Sequence, residues 1–404
     1  LNLVPDPMTL AADFDLDWEG NNIDEFTGYA KIYNINLVRN GHKLDLDSVY
    51  ATATETGTDK LLTIASNAFT ASIQGRYQLS TLPNSFQYYL AGYLPNYINF
   101  PVKEAPPQDL SFQLTTHDLD SLFGVLVPTV SGFNNAEING YLNTTQQQLK
   151  LDATIPYGVV NGVSVQNAKI ESKGDFKTLA LNLDIEKATM PDTAIKGSLE
   201  LNTTLGNDKL TFDITTTSPN AFGDAIVKGQ AFAHGDTLDI SISPSEFFLQ
   251  KNKWDILGGN TIVFTDGYLY IDKFTIESGN QKINIQSQNN GLVQNISVTL
   301  SNLSATNIAN LAGLSDYGIR GNINGNIEAR NIFTDMMIAS DIKATDVYFD
   351  SLVVGNINIL GSYDGKKNMV TLDPATGIYK DDKSLSVYGK LSFDSTVTQK
   401  IDAE

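Results

Sequence analysis

No cysteine occurs anywhere in the 404-residue chain. Disulfides and thiolate metal sites are therefore excluded, and the composition fits any redox compartment, an oxidising one included. Histidine is nearly as scarce. His42, His117 and His234 are the whole set, far apart in sequence and each beside a turn or helix start, so all three are expected on the surface. No paired-His spacing, P-loop or nucleophile elbow appears. Cations are also short. With 27 Lys and Arg against 46 Asp and Glu, the formal net charge is -19, and nothing could neutralise a run of phosphates, which argues against nucleic acid as a partner. There is no run of 18 apolar residues and no basic segment leading into an apolar core. The chain reads as a soluble piece of something longer, with any leader or anchor expected upstream.

Linkers are missing too. The nearest is NFPVKEAPPQDL at 99–110, with Pro101, Pro106 and Pro107. The pattern is the same on both sides of it, so it reads as a connection within one architecture, and residues 1–404 read as a single continuous segment. A hydrophobic share of 41% with 18% charged residues is globular rather than disordered composition.

What the chain has in abundance is alternation. In TIVFTDGYLYIDKFTIESGNQKINIQSQ (261–288), Ile262 and Phe264 alternate with polar neighbours before Asp266-Gly267 turns the chain. Leu269, Ile271, Phe274 and Ile276 follow, then Gly279-Asn280, then Ile283 and Ile285. Period-2 alternation makes a strand with one apolar face, and Asp-Gly and Gly-Asn between such runs signal hairpins. Roughly two dozen strands of this kind are expected, with Asp, Asn, Thr, Ser and Lys on the opposite, solvated face.

Three stretches break the rhythm. LPNSFQYYLAGYLP (82–95) spaces Phe86, Tyr89, Leu90, Tyr93 and Leu94 as one face of an amphipathic helix bounded by prolines. Lacking flanking Lys or Arg, it is expected to pack on the sheet or plug it rather than lie on a membrane. Shorter helical turns are expected near 118–126 and 304–313. These two belong to a longer repeat, in which residues 114–143 parallel 300–329 as strand, helix, then INGYL or INGNI opening a new strand. An internal repeat of this kind points to a quasi-one-dimensional array.

So many strands exceed what one flat open sheet tolerates. Stacked sandwiches would show boundaries that are absent. A membrane barrel wants strands of about 9–11 residues and aromatic girdles, whereas these runs read shorter and their aromatics are scattered. A parallel β-helix would lack the hairpin turns. The expectation is an all-β, elongated, mostly antiparallel sheet curled into an open trough, a β-groove with an apolar concave face and a few short helical insertions. Leu151, Leu181, Leu183, Leu201, Phe212, Ile240, Phe264, Ile271, Phe274, Ile285, Val298 and Ile327 are expected to line it. Asp184, Asp213 and Lys273 are expected to point outward.

Other candidates have plain explanations. Asp13, Asp15 and Asp17 share a strand face but lack the glycine and distal glutamate of a calcium loop, so they read as an outer polar face. Gly321 to Asn326 only superficially resembles a phosphate loop, and Gly325 reads as a bulge or bend within a strand. No catalytic residues, metal site or cofactor are expected, and the chain reads as a non-enzyme.

Four stretches carry a family likeness: DLDWEGNNIDEFTGYAKIYNINLVRNGHKLDLDSVYATA (15–53), FTASIQGRYQLSTLPNSFQYYLAGYLPNYI (69–98), KWDILGGNTIVFTDGYLYIDKFTIESGNQKINI (253–285) and GIRGNINGNIEARNIFTDMMIASDIKATDVYFDSLVVGNINILGSYD (318–364). In pattern and phrase the chain resembles the TamB (translocation and assembly module) family, within the AsmA-like, repeating β-groove group of bridge-like lipid-transfer proteins, and most of all its Bacteroidota versions. That family has no catalytic signature to match. The resemblance implies a periplasmic protein anchored in the inner membrane through an N-terminal segment lying outside this chain. It also implies contact, again through regions outside this chain, with an Omp85-type, TamA-like outer-membrane protein. Its implied role is to pass phospholipid acyl chains between inner and outer membrane for outer-membrane biogenesis. An older reading of the family is outer-membrane protein assembly. From the residues alone, a holdase that adds client strands to its edge and a structural β-solenoid spacer with a self-filled interior stay open.

Overall fold

In a computed structural model the described residues are 8–39, 41–44, 46–102, 106–190, 196–218, 222–249, 251–290, 293–311, 314–381, 383–393 and 400–403. The protein is all-β and antiparallel, with three short α-helices among these residues. Its contacts form two compact units, Leu1–Asn220 and Ala221–Glu404, each described by itself. The proline-rich stretch at 99–110 lies inside the first.

The first unit runs β1 (Met8–Glu19), β2 (Thr27–Arg39), β3 (His42–Lys43), β4 (Ser48–Thr56), β5 (Asp59–Ser66), β6 (Phe69–Arg76), α1 (Leu82–Tyr93), β7 (Asp109–Thr116), α2 (Asp120–Leu126), β8 (Val130–Gly132), β9 (Glu137–Asn143), β10 (Gln148–Val160), β11 (Val163–Gly174), β12 (Leu179–Thr189), β13 (Lys196–Gly206) and β14 (Lys209–Thr217). Neighbours in sequence are neighbours in the sheet, apart from the short β3 and β8, which extend the ladders of β2 and β10. Turn chemistry explains this. Between β13 and β14, Asn207 and Asp208 both take positive φ, 51° and 59°, as a two-residue hairpin turn matching strand twist requires.

The second unit runs β15 (Phe222–His234), β16 (Thr237–Ile242), β17 (Ser245–Leu249), β18 (Asn252–Ile256), β19 (Thr261–Thr265), β20 (Tyr268–Asp272), β21 (Phe274–Ser278), β22 (Gln281–Asn290), β23 (Val293–Ser304), α3 (Ala305–Leu311), β24 (Ile319–Arg330), β25 (Met337–Phe349), β26 (Leu352–Asp364), β27 (Met369–Leu372), β28 (Gly377–Lys380), β29 (Lys383–Ser392) and β30 (Lys400–Ala403). Here several strands are broken midway. β15 pairs with both β16 and β17, so these two are one strand interrupted at Ser243 and Pro244. β18 and β19 are likewise one strand interrupted at 257–260, and β20 and β21 one interrupted at Lys273 (φ 54°). The three breaks fall on adjacent strands. Pro244 has no N–H to give the ladder, and a buried side chain repairs the gap. Asn260 Nδ2 donates to the carbonyls of Ile242 and Leu257, both at 2.8 Å, and its Oδ1 accepts from Ile242 N at 2.8 Å. The gap between β27 and β28 is bridged in the same way by Thr376, whose hydroxyl donates to Leu360 O at 2.7 Å and accepts from Leu360 N at 3.0 Å.

Bulges bend the long strands. Asn34, Asn167, Asn302 and Asp346 take φ near 50° inside or opposite register shifts, a conformation these side chains tolerate better than others do. The sequence predicts a bulge or bend at Gly325. In the ladder with β23 a register shift does begin at Gly325, which faces Leu300, while a second shift, with β25, falls at Gly321 (φ 145°); a Cβ on Gly325 would lie 2.4 Å from Asp341 O. Strand length needs correction as well: β10, β15, β25 and β26 each span 13 residues and β11 and β24 span 12. Small or polar residues within the apolar rows, such as Ser172 and Thr203, interrupt the alternation while the ladder continues. Length is therefore no argument against a membrane barrel. What remains against one is the scatter of aromatics.

The internal repeat takes the expected strand–helix–strand form, except that INGNI (323–327) lies within β24, which opens at Ile319. β7, α2 and β9 in one unit match β23, α3 and β24 in the other, with the two strands pairing across the helix each time.

Candidate functional site, an apolar sheet face

Directly opposed residues of antiparallel strands share a face, so the register identifies each face across the sheet. In the first unit one line of partners runs Leu16, Ala30, Ala51, Ile64, Ala71, Leu114, Ile138, Ala153, Ile170, Leu183, Leu201, Ile214. It crosses twelve strands without a polar side chain. The line displaced by one residue runs Asp17, Tyr29, Thr52, Thr63, Ser72, Gln113, Asn139, Asp152, Glu171, Asn182, Asn202, Asp213. It carries no aliphatic side chain. Two faces of opposite character therefore back one another over the whole unit.

The expected lining residues fall on the apolar face of their own unit. Leu183 and Leu201 are direct partners, and Leu151, Leu181 and Phe212 share the next row, where Ser172 and Thr203 intervene. In the second unit Phe274, Ile285, Val298 and Ile327 form one row. Ile240 and Ile271 are joined through Ile262, and Phe264 pairs with Leu238. Asp184 and Lys273 are exposed, and Asp213 lies on the polar line. None of the twelve lining residues is fully buried, and Phe264 is 44% exposed.

Complete burial occurs at the rims. In the first unit α1 lies along one row of hairpin turns. Tyr89 and Tyr93, each 1% exposed, pack with Tyr77, Leu110 and Leu142. Tyr89 OH is within 3.2 Å of Asn143 O and 3.1 Å of Gln148 O, and Tyr93 OH donates to Asp175 O at 2.7 Å. Asp208 N donates to Tyr93 O at 2.8 Å, and the Asp208 carboxylate accepts from Asn96 N and Nδ2 at 3.1 and 2.9 Å. One helix thus meets three successive turns, β9–β10, β11–β12 and β13–β14. The approach is close enough that a Cβ on Gly92 would stand 2.1 Å from Phe176 O. Burial pushes the Tyr93 hydroxyl up to about 12, with the Asp175 charge adding, and raises Tyr89 further. Gln108, fully buried, ties the helix start to β7: its amide accepts from Gln78 N at 2.9 Å and donates to Thr81 Oγ1 at 2.8 Å. Nothing in the sequence marks this residue, because an isolated Gln before a strand carries no periodic signal.

The opposite rim, where β7 ends, is covered by α2. Val125 packs with Leu37 and Leu44, while Arg39 Nη1 donates to the carbonyls of Val125 and Leu126, both at 3.1 Å, satisfying groups a helix end leaves open. In the second unit α3 borders a buried cluster of Leu249, Trp254 and Leu303. A cavity of about 110 Å³ lies there, bordered by Phe247, Trp254, Ile283 and Ile308.

Other groups offer little chemistry. His42, His117 and His234 are exposed, as expected. A second concavity, about 450 Å³, is bordered by Lys228, Glu246, Asp255 and Glu277. Two of its carboxylates, those of Glu246 and Asp255, are held by Lys253 at 2.8 and 3.1 Å. Among the described residues no group of three or more His, Asp or Glu side chains is arranged to hold a metal ion, and no helix is long and apolar enough to cross a membrane. No protein-family model, curated protein or solved structure matches the chain.

Proposed function

We propose that this chain is a segment of a periplasmic, bridge-like lipid-transfer protein that conducts phospholipids between inner and outer membrane. The observation that carries the reading is the unbroken apolar line from Leu16 to Ile214, half open to solvent except at the buried Ala153, between two helix-covered rims. A protein that filled this face with its own side chains would bury those residues. The mechanism is partition. Each acyl methylene leaving water for such a face gains about 0.8 kcal/mol, and the rows repeat the same surface from strand to strand, so a chain can move along them at nearly constant free energy. Headgroups stay in water, and no nucleotide chemistry is needed along the path. Placement in the periplasm, an inner-membrane anchor and an Omp85-type partner belong to the same proposal and rest on the resemblance to the TamB family.

Photocrosslinking residues at Leu183, Leu201, Ile285 and Val298 test it. Phospholipid adducts are expected there and not at Asp184, Glu200 or Asn326 on the other face. Equal labelling of both sets, or none with intact protein, sinks the conduit.

A further inference from the structure

We infer that the cavity bordered by α3 in the second unit is a seat for the methyl end of an acyl chain, a resting point on the path rather than one more stretch of it. The inference rests on the conduit reading and adds a specific site to it. Phe247 with Trp254, and Ile276 with Ile283, are direct ladder partners that border the cavity, and Ile308 borders it from α3. The Ile276–Ile283 pair is the next pair on the same face after Phe274 and Ile285, so the cavity adjoins the rows proposed to carry lipid. The matching helix of the first unit closes its cluster instead. Val125 of α2 is 1% exposed, whereas Ile308 of α3 is 43% exposed.

Size and chemistry say what fits. The volume is about 110 Å³. An apolar cavity of about 150 Å³ takes benzene, so this one takes roughly four carbons. No charged side chain borders it, which leaves a headgroup without a partner. Its polar neighbours are tied to one another: Ser304 N donates to Gln281 Oε1 at 2.8 Å, and Asn307 N to Ser304 Oγ at 3.4 Å. Trp254 Nε1 is buried and has no hydrogen-bond partner among the described residues, a measure of how little polar surface surrounds the ring. Drawing a polar group out of water without a partner is costly. The carbons farthest from the ester can enter without that cost, whereas those beside it would pull the ester in with them. An empty apolar void also lowers stability, and an acyl terminus would fill it.

Trp254 is its own reporter. The chain has two tryptophans, and Trp18→Phe leaves Trp254 alone to fluoresce. The probes are two palmitoyl lysophosphatidylcholines, one brominated at the last carbons of the chain and one beside the ester, each below its micelle concentration. The tail-brominated probe should quench most of the Trp254 emission, and the ester-brominated probe little of it. Ile283→Phe fills the cavity from the sheet and should abolish the tail quenching, with hydrogen exchange of β22 and β23 showing that the fold is kept. Where that variant disturbs exchange, Ile308→Phe fills the cavity from the helix and gives the same comparison. The seat is overturned if the ester-brominated probe quenches as strongly as the other, if neither quenches, or if tail quenching survives in a filled variant with normal exchange. Phospholipid adducts at Leu183 and Leu201 in the same protein would then show that the conduit stands without the seat.

Discussion

The two units build one kind of sheet in two ways. In the first, long strands such as β10, β11 and β12 run unbroken, and bulky side chains on α1 and α2 bury the rims. In the second, three adjacent strands break in register, and a single polar side chain, Asn260, closes the gap from within. The comparison teaches that the apolar face does not require continuous strands. It requires only that side chains keep alternating and that each broken ladder group find a substitute partner. Aromatic anchoring dominates one unit, polar repair the other.

Removing the anchor should give the largest effect. Tyr89→Ala deletes a buried ring and its contacts with two turn carbonyls, so about 3–5 kcal/mol of the first unit's stability should go. Exchange in the second unit should be untouched. If both units loosen together, the anchor is not local to its unit.

The contrast between rim and centre comes next. Leu142, fully buried under α1, should cost about 3 kcal/mol as Leu142→Ala, while the half-open Leu183 should cost only about 1 kcal/mol as Leu183→Ala. Denaturation midpoints of the two variants decide it. Equal losses would mean that the centre is as well covered as the rim.

Polar repair can be broken alone. Asn260→Ala leaves the amide and carbonyl of Ile242 and the carbonyl of Leu257 without their partner, a loss of about 2 kcal/mol confined to the second unit. Faster exchange at 240–245 and 254–263 is the expected signature, and uniform exchange across both units would contradict it.

Alkali should separate the units more gently. A tyrosine whose folded pKa is raised contributes stability that is whole below its ordinary value near 10 and lost as pH climbs through the folded value. With Tyr93 pushed up to about 12, α1 should stay docked through pH 10 and release toward pH 12. Tyrosinate absorbance should rise late, and Tyr93→Phe should remove part of that late step.

Much of this was legible in the sequence, and the reason is the period of two. Which residue points to which side of a strand is settled by its immediate neighbours, so the faces holding Leu183, Phe212, Phe274 and Val298 could be assigned one strand at a time. Asp-Gly and Gly-Asn turns were legible for the same local reason, and so were the three helices, whose spacing differs from that of the strands. The breaks at Pro244, 257–260 and Lys273 were less so. Each is ordinary on its own, and becomes a line only when three strands are laid side by side.

Sequence by itself determined the all-β class, the two opposed faces and the positions of the helical insertions, because propensity and alternation act over a few residues. Tertiary structure alone decided the rest. It chose which rim α1 and α2 cover and made Gln108, Asn260 and Thr376 into ladder substitutes. It left the centre of the apolar face half open. Each of these depends on partners brought together by register, such as Tyr93 with Asp175 or Leu16 with Ala30, and register is a property of paired strands.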